Sequence, residues 1–286
     1  MGHPRQFLEV SGRRLAYAEL GSGPPVVLLH GALTGIDDLL LALGDRLADK
    51  VRLIAVDRPG YGGSEGDWET ASIWNQARLL REMSRKLMLS RPLLVGHSLG
   101  GAVATAWALQ EPAAVRGVVA VAPLAFPEAR LEHLLFGPRA TPLFGDAFSF
   151  AAMPMDTLVM PAIWRTMFQP QPVPEDFAHA FPTTDPGERR RLRTVGREAA
   201  RLIPDLSRSA ALYGAARARL QILFGDSDRV ANPMVHARAL AALWPDSRCL
   251  ALSGVGHMVH HSRPEVVADA VCEMLAAPTS VGMVPA

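Results

Sequence analysis

Cysteine is scarce in this chain. Its 286 residues include two cysteines, Cys249 and Cys272. Two thiols cannot build the disulfide framework that is typical of small secreted proteins. Neither lies at the short spacing from another cysteine or a histidine that a metal-binding motif requires. We therefore expect a reducing, cytoplasmic environment and no bound metal.

A charge excess and a long apolar run are also missing. The chain has 29 Lys and Arg against 28 Asp and Glu, a formal net charge of +1 at pH 7. Such a balance creates no strong field for a polyanion, so nucleic acid is not an expected partner. No apolar run approaches the ~18 to 20 residues that a membrane-spanning helix needs, and residues 1–10 lack the pattern of a secretory signal. We expect a soluble protein that is not exported.

Short runs rich in Val, Ile and Leu alternate with helical stretches. Runs this uniformly apolar are typical of strands that helices cover on both faces, as in a parallel sheet. Ahead of them, residues 7–10 and 14–20 flank Ser11-Gly12-Arg13, a turn signal that predicts an antiparallel hairpin at the sheet edge. The pattern predicts an α/β fold with a mixed, mostly parallel sheet. The apolar runs are residues 26–29, 51–56, 92–95, 118–121, 220–224 and 249–252.

No apolar strand run appears in residues 124–212. This segment is predicted to be a helical cap inserted into an α/β core that residues 1–123 and 213–286 form. Eight of the ten phenylalanines lie in it, a composition that does not suit a solvated linker. These side chains could line an apolar pocket or could only attach the cap to the sheet, and the sequence leaves both open.

The last part of the insertion is rich in arginine. Apolar residues at helical spacing between the arginines predict a solvated amphipathic helix over residues 188–202. An arginine turned toward the pocket would instead select an acidic substrate. The apolar positions are Leu192, Val195, Ala199 and Leu202.

The pentapeptide Gly96-His97-Ser98-Leu99-Gly100 follows the strand predicted over residues 92–95 and precedes an Ala-rich helical stretch. A strand, a sharp turn and a helix form the nucleophile elbow, in which a strained serine holds its hydroxyl clear of the sheet. Side chains at Gly96 and Gly100 would collide with neighbouring backbone. Ser98 is therefore the candidate nucleophile.

A serine hydroxyl needs a base near neutral pH, and imidazole is the usual one. His257 follows the last predicted strand in a glycine-containing loop, where open α/β sheets place their ligands. We predict that it is the base. His97 cannot easily reach the hydroxyl of its neighbour and is interpreted as structural, and for His260 and His261 we expect a surface or capping role.

The imidazole needs an acceptor that fixes its tautomer. Gly225-Asp226-Ser227-Asp228 follows the strand predicted over residues 220–224 and offers two carboxylates. We choose Asp228, because the turn gives the later residue room to point into the site. Asp226 is expected to close that turn through an Asx hydrogen bond.

A tetrahedral oxyanion needs two hydrogen-bond donors. The backbone N–H of Leu99, next to the nucleophile, is one candidate. The other is the N–H of Ala32 in the loop of residues 30–33, after the first buried strand. A plain turn would fit this loop sequence equally well.

Together these pieces resemble the α/β-hydrolase superfamily, and in particular its capped serine-hydrolase branch. The resemblance implies an eight-stranded, mostly parallel sheet with an N-terminal antiparallel hairpin, helices on both faces, and a cap inserted after strand 6. Epoxide hydrolases and dehalogenases of this fold have an aspartate at the elbow, so Ser98 disfavours those activities. In relatives the segment that corresponds to residues 57–64 is mainly a structural turn, so Asp57 is left out of the catalytic set. The matching pieces are His30-Gly31, residues 57–64, residues 96–100, residues 225–228 and Gly256-His257.

The resemblance implies hydrolysis of a carboxylic ester or related acyl bond through an acyl-enzyme, with no metal or organic cofactor. The Phe and Met content of the insertion further predicts that the substrate is an apolar small molecule. A carbon–carbon bond hydrolase or a cofactor-free perhydrolase or haloperoxidase would use the same triad. A ligand-sensing receptor or pseudoenzyme with little turnover is the alternative of another class.

Overall fold

The computed structural model of the protein describes residues 3–128, 136–141, 144–182 and 188–277. Within these ranges the strands form one eight-stranded sheet in the order β1-β2-β4-β3-β5-β6-β7-β8. The strands are β1 (Gln6–Val10), β2 (Arg13–Leu20), β3 (Pro25–Leu29), β4 (Arg52–Val56), β5 (Leu93–His97), β6 (Gly117–Val121), β7 (Leu220–Gly225) and β8 (Ser247–Leu252).

The sheet is parallel from β4 to β8 and antiparallel at its first edge. β1 pairs with β2, and β2 pairs with β4, in antiparallel register. The hairpin turn holds Ser11 and Gly12 at φ of 50° and 72°, the left-handed backbone that a tight two-residue turn requires. The predicted mixed sheet with an N-terminal hairpin is confirmed.

Helices cover both faces of the sheet. The apolar side chains of the helices at residues 73–86 and 99–110 pack on one face, and those of the helices at residues 36–47 and 264–276 pack on the other. The inner strands are therefore buried on both sides, which explains their uninterrupted apolar sequences. The helices are α1 (Ile36–Leu47), α2 (Ile73–Lys86), α3 (Leu99–Gln110), α4 (Gly145–Phe168), α5 (Glu175–Ala180), α6 (Glu188–Ala210), α7 (Ala239–Leu243), α8 (Val259–Ser262) and α9 (Pro264–Ala276).

β8 differs from the prediction of strands covered on both faces. It pairs with β7 alone at the second edge of the sheet. Its residues are all half-buried or exposed, and Leu250 is 44% exposed. The apolar run at residues 249–252 was therefore a correct signal for a strand and a wrong one for its cover.

α4, α5 and α6 lie between β6 and β7, where the sequence predicts the insertion. α6 contains the predicted amphipathic helix, and its residues Leu192 and Val195 are buried. The arginines on this helix are less solvated than expected. Arg191, Arg193 and Arg197 are half-buried.

No helix in the described part of the chain combines the length and the apolar character that crossing a membrane requires.

Asp57 joins three segments at the carboxyl end of β4. Its carboxylate accepts hydrogen bonds from the N–H of Ile36 at 3.0 Å, the N–H of Gly63 at 2.9 Å and the Nε of Arg5 at 2.7 Å. Because Ile36 is the first residue of α1, the carboxylate caps that helix from outside it. Asp57 therefore has a structural role.

We expect Asp57→Ala to lower the free energy of unfolding by about 2–4 kcal/mol, because the buried amide of Ile36, the partly buried amide of Gly63 and Arg5 lose their acceptor. Urea titration followed by circular dichroism measures the change. Asp45→Ala, at an exposed position of α1, is the control and should change stability by less than about 0.5 kcal/mol. Equal urea midpoints for the two variants would contradict the structural role of Asp57.

Candidate active site

Ser98 lies in a sharp turn between β5 and α3. Its backbone has φ 53° and ψ −117°, a region that costs free energy for any residue with a side chain. The turn persists because its backbone is held on both sides: the N–H of Ser98 donates to the carbonyl of Val121 at 2.9 Å, and its carbonyl accepts from the N–H of Leu124 at 3.2 Å.

The glycines of the elbow are required by close backbone contacts. A Cβ on Gly96 would collide with the carbonyl of Gly100, and a Cβ on Gly100 would collide with the carbonyls of Leu29 and His30. The predicted steric reason for small residues around Ser98 is therefore confirmed.

His257 and Asp228 form a buried pair. His257 Nδ1 and Asp228 Oδ2 are 2.7 Å apart, and both side chains are about 1% exposed. Because an ionised carboxylate only accepts, Nδ1–H is the donor, which leaves Nε2 as the basic nitrogen of the neutral ring. The tautomer suits a general base.

Two backbone amides orient the Asp228 carboxylate. Its Oδ1 accepts from the N–H of Val230 at 2.7 Å and of Ala231 at 2.9 Å. Burial alone would raise the pKa of Asp228, but the charge and hydrogen bond of His257, with the two amides, outweigh it and lower the pKa. The carboxylate therefore remains ionised beside the imidazole.

Asp226 does not take part in the pair of His257 and Asp228. It is exposed, and its Oδ1 accepts from the N–H of Gly254 at 2.8 Å and from the Ser227 hydroxyl at 3.0 Å. It therefore connects the loops after β7 and β8. The Asx-type hydrogen bonds of this turn come from Asp228, so the expectation that Asp226 makes them was wrong.

The loop of residues 30–33, here the oxyanion loop, lies against the elbow. A Cβ on Gly31 would be 3.4 Å from the Cβ of Ser98 and 2.8 Å from Nδ1 of His97. Ala32 follows Gly31 directly, and Leu99 is the first residue of α3, where backbone N–H groups have no partner within the helix. Leu99 thus follows Ser98 directly, and Ala32 follows a residue that lies beside Ser98; their roles as donors stay a prediction.

His97 lies behind the site. It is fully buried, and its Nε2–H donates to the carbonyl of His257 at 3.2 Å. Burial, with the nearby rings of His260 and His257, holds the pKa of His97 well below its usual value. A neutral ring that supports the loop of His257 agrees with its interpretation as structural.

His260 and His261 do not have the expected surface or capping role. His260 is fully buried and His261 nearly so. Both donate Nε2–H to Oδ1 of Asp38, at 3.0 Å and 2.8 Å. Sequence reasoning missed them because Asp38, their acceptor, lies 222 residues from His260.

The same three residues have the composition of metal ligands, with their donor atoms within 4.8 Å of one another. Burial would raise the pKa of Asp38, but the two histidines outweigh it and lower the pKa well below its usual range. Oδ1 of Asp38 thus accepts both N–H donors, whereas Oδ2 of Asp38 and Nδ1 of His260 are buried without a hydrogen-bond partner among the described residues. We interpret the cluster as a hydrogen-bonded support for α1 and α8.

A second buried polar cluster adjoins the oxyanion loop. It consists of Arg58, Tyr61, Gln76 and Glu198, all at most 2% exposed. Sequence analysis did not single out Glu198. A signal existed, because Glu198 is three residues after Val195 and four before Leu202, on the apolar face of α6.

An apolar cluster contains chain neighbours of two predicted site residues. It includes Leu33, next to Ala32, and Met258, next to His257. The remaining members come from the segment between β6 and β7. They are Phe136, Met160, Trp164, Met167, Phe168, Phe177, Phe181, Leu192 and Val195. Tyr61, from the core, also belongs to the cluster.

An open groove of about 840 Å³ lies between the end of α4 and α5. Trp164, Val173 and Phe181 are among its lining residues. None of the five predicted site residues lines it. It is therefore separate from the site around Ser98.

Comparisons with known proteins agree with the fold. The chain is 28% identical over 280 residues to an uncharacterized protein of Mycobacterium tuberculosis, covering 93% of this chain and 79% of that one. It is 26% identical over 284 residues to haloalkane dehalogenase 2 of the same organism, covering 94% and 93%. A thermophilic esterase from Thermogutta terrifontis has a similar structure, with a TM-score of 0.70, 22% identity and coverage of 95% and 98%.

The model of the alpha/beta hydrolase family matches residues 26–270. This range extends from β3 to α9 and includes every predicted site residue. The chain belongs to the alpha/beta hydrolase family.

Proposed function

We propose that the protein is a serine hydrolase that cleaves a carboxylic ester, or a related acyl bond, of an apolar small molecule. One observation carries the proposal. The buried pair of His257 and Asp228, 2.7 Å apart, occurs in a hydrolase fold whose strained elbow bears Ser98. Membership in the family supports hydrolysis in general, and the choice of ester is our inference.

In the proposed mechanism Ser98 Oγ attacks the acyl carbon while His257 takes its proton. Asp228 holds the ring and stabilises the imidazolium. The N–H groups of Ala32 and Leu99 donate to the oxyanion, and the positive end of α3 adds a favourable field. The alkoxide leaves with the proton from His257. Water then attacks the acyl-enzyme by the same steps and regenerates Ser98.

The residue at the elbow separates this proposal from the chemistry of the dehalogenase relative. An aspartate nucleophile forms an alkyl-ester intermediate, whereas Ser98 forms an acyl-enzyme from an acyl donor. The serine therefore favours acyl transfer to water. These steps require no metal or organic cofactor.

We infer that residues 124–212 act as a cap over the site and favour apolar substrates. The support is the cluster that contains Leu33 and Met258, neighbours of Ala32 and His257. Arg190, which could have selected an acidic substrate, donates instead to the carbonyls of Gly62 and Ser64. Many cap Phe and Met side chains pack on one another, so the attachment role holds for them alongside the pocket role.

The first test is covalent labelling of the nucleophile. A fluorophosphonate should label the folded protein at Ser98, since the elbow presents an activated hydroxyl. Peptide mass spectrometry identifies the adduct. Ser98→Ala is the control and should neither react nor hydrolyse 4-nitrophenyl butyrate. An adduct on another residue, or none on folded protein, would refute the mechanism, and labelling without turnover would favour a receptor.

The two carboxylates after β7 should differ in effect. Asp228→Asn should lower kcat by about 10⁴-fold, because the imidazole loses the acceptor that fixes its tautomer. Asp226→Asn should retain most of the wild-type kcat, because that side chain is exposed and contacts Gly254. Steady-state kinetics on one ester decides the assignment, which an inactive Asp226→Asn and an active Asp228→Asn would reverse.

Acyl-chain length tests the apolar pocket. Across 4-nitrophenyl acetate, butyrate and hexanoate, kcat/KM should rise by about fourfold per methylene, since each buried methylene contributes about 0.8 kcal/mol. An ester whose acyl chain bears a free carboxylate is the matched control and should have a low kcat/KM. A preference for acetate or for the charged ester would show that the apolar cluster is packing alone.

A further inference from the structure

Arg58 lies at the junction of the core, the oxyanion loop and α6. Its guanidinium is fully buried. Nε donates to the carbonyl of His30 at 2.7 Å, and Nη2 donates to the carbonyl of Gly31 at 2.9 Å. Nη1 donates to Gln76 Oε1 at 2.9 Å and to Glu198 Oε1 at 2.5 Å. Two of these four bonds thus hold the oxyanion loop.

His30 fixes the same loop from within. Its Nε2 accepts from the backbone N–H of Arg58 at 3.0 Å, and its Nδ1–H donates to the carbonyl of Gly31 at 2.7 Å. One nitrogen accepts and the other donates, as only a neutral ring can do. Burial, and then the charge of Arg58, lower the pKa of His30 and keep it in that form.

The Gly31 carbonyl belongs to the same peptide group as the N–H of Ala32. A peptide group is planar and trans, so its C=O and N–H point in opposite directions. When Arg58 and His30 bind the carbonyl, they therefore set the direction of the N–H. That N–H is the proposed oxyanion donor, and Gly31 lies beside Ser98.

Glu198 supplies the charge that lets Arg58 stay in this position. It comes from α6, and its carboxylate also accepts from Gln76 Nε2 at 2.8 Å and from the Tyr61 hydroxyl at 2.5 Å. Burial lowers the pKa of Arg58, but Glu198 outweighs it and raises the pKa. Without Glu198 the guanidinium would be a buried charge with no counter-ion.

We propose that Glu198 is a positioning residue for the oxyanion hole: through Arg58 it holds the Gly31–Ala32 peptide group so that the Ala32 N–H points at the developing oxyanion. The catalytic part of this proposal rests on the proposed serine-hydrolase function. It assigns to α6 a share in building the transition-state site, in addition to covering it.

The helix itself offers a matched control. Asp205 is a half-buried carboxylate on α6 that also bonds to the core, since it accepts from the N–H of Ile73 at 3.0 Å. This bond joins α6 to α2 and does not involve the oxyanion loop. If the loss of activity came only from a loosened α6, Asp205→Asn and Glu198→Gln would therefore show it alike.

The kinetic test compares these two variants on one ester. Removing an entire oxyanion donor lowers kcat by about 10²–10³-fold, so a misdirected donor in Glu198→Gln should lower kcat by about 10–100-fold with little change in KM. The affinity for a trifluoromethyl ketone, which binds serine as an oxyanion, should fall in parallel. Asp205→Asn should keep the wild-type values. A change in KM alone, or equal effects of both variants, would overturn the proposal.

Hydrogen exchange supplies a readout that needs no catalysis. In Glu198→Gln the peptide covering residues 29–34 should exchange faster than in wild type, while Asp205→Asn leaves it unchanged. Unchanged exchange in Glu198→Gln would overturn the proposal. If wild type neither labels at Ser98 nor turns over esters but exchange responds as expected, the proposed function fails and the link from Glu198 to the loop stands.

A buried substitution can also prevent folding. Glu198→Asp keeps the charge and shortens the side chain, so it provides a milder displacement of Arg58. It should lie between wild type and Glu198→Gln in kcat and in exchange of residues 29–34. If a folded Glu198→Asp matched wild type in both readouts while Glu198→Gln failed to fold, Glu198 would be a stability residue alone and the proposal would be wrong.

Discussion

The parallel register of the inner strands brings the candidate site together. Leu29 at the end of β3 pairs with Gly96 in β5, and Gly225 at the end of β7 pairs with Leu252 in β8. Parallel strands place their carboxyl ends at one edge of a sheet, where open α/β folds bind their ligands. The loops that follow these strands contain the predicted site residues Ala32, Ser98, Asp228 and His257, which are far apart in the chain and follow strands that end at this edge.

Around this edge the structure encloses charges that water would otherwise solvate. Asp38 is surrounded by two histidine donors, Asp57 by backbone amides and Arg5, and Arg58 by Glu198 and two carbonyls. Burying a charge is unfavourable unless hydrogen bonds and an opposite charge compensate it. Asp57 and Arg58 bond directly to backbone groups and so fix the turns that they contact, whereas Asp38 links α1 to α8 through side chains.

Apolar packing and polar bonding have different parts in joining α6 to the core. Leu192 and Val195 bury against the aromatic side chains of the insertion, a contact that tolerates small shifts. Glu198 makes directional bonds to Arg58 and Tyr61, which fix the helix against one loop. The helix is thus joined to the core both by apolar packing and by directional hydrogen bonds.

The predicted fold and most of the candidate site follow from local patterns. Apolar runs mark strands because a covered strand has no polar face. The elbow sequence is restricted by contacts within a few residues, as Gly96 and Gly100 show. Exposure was harder to predict: β8 has the composition of a covered strand and lies at an edge, because cover depends on what packs beside it.

The sequence by itself determined that the sheet is mixed and mostly parallel, that an elbow surrounds Ser98 and that a histidine follows the last strand. Each of these depends on short-range geometry and on residue chemistry. Only the tertiary structure decided which side chains pair with the buried charged groups. Arg58 and Glu198 are 140 residues apart, and Asp38 and His260 are 222 residues apart. Such partners leave no local spacing rule in the sequence, because they meet only when the sheet and the helices around it have packed.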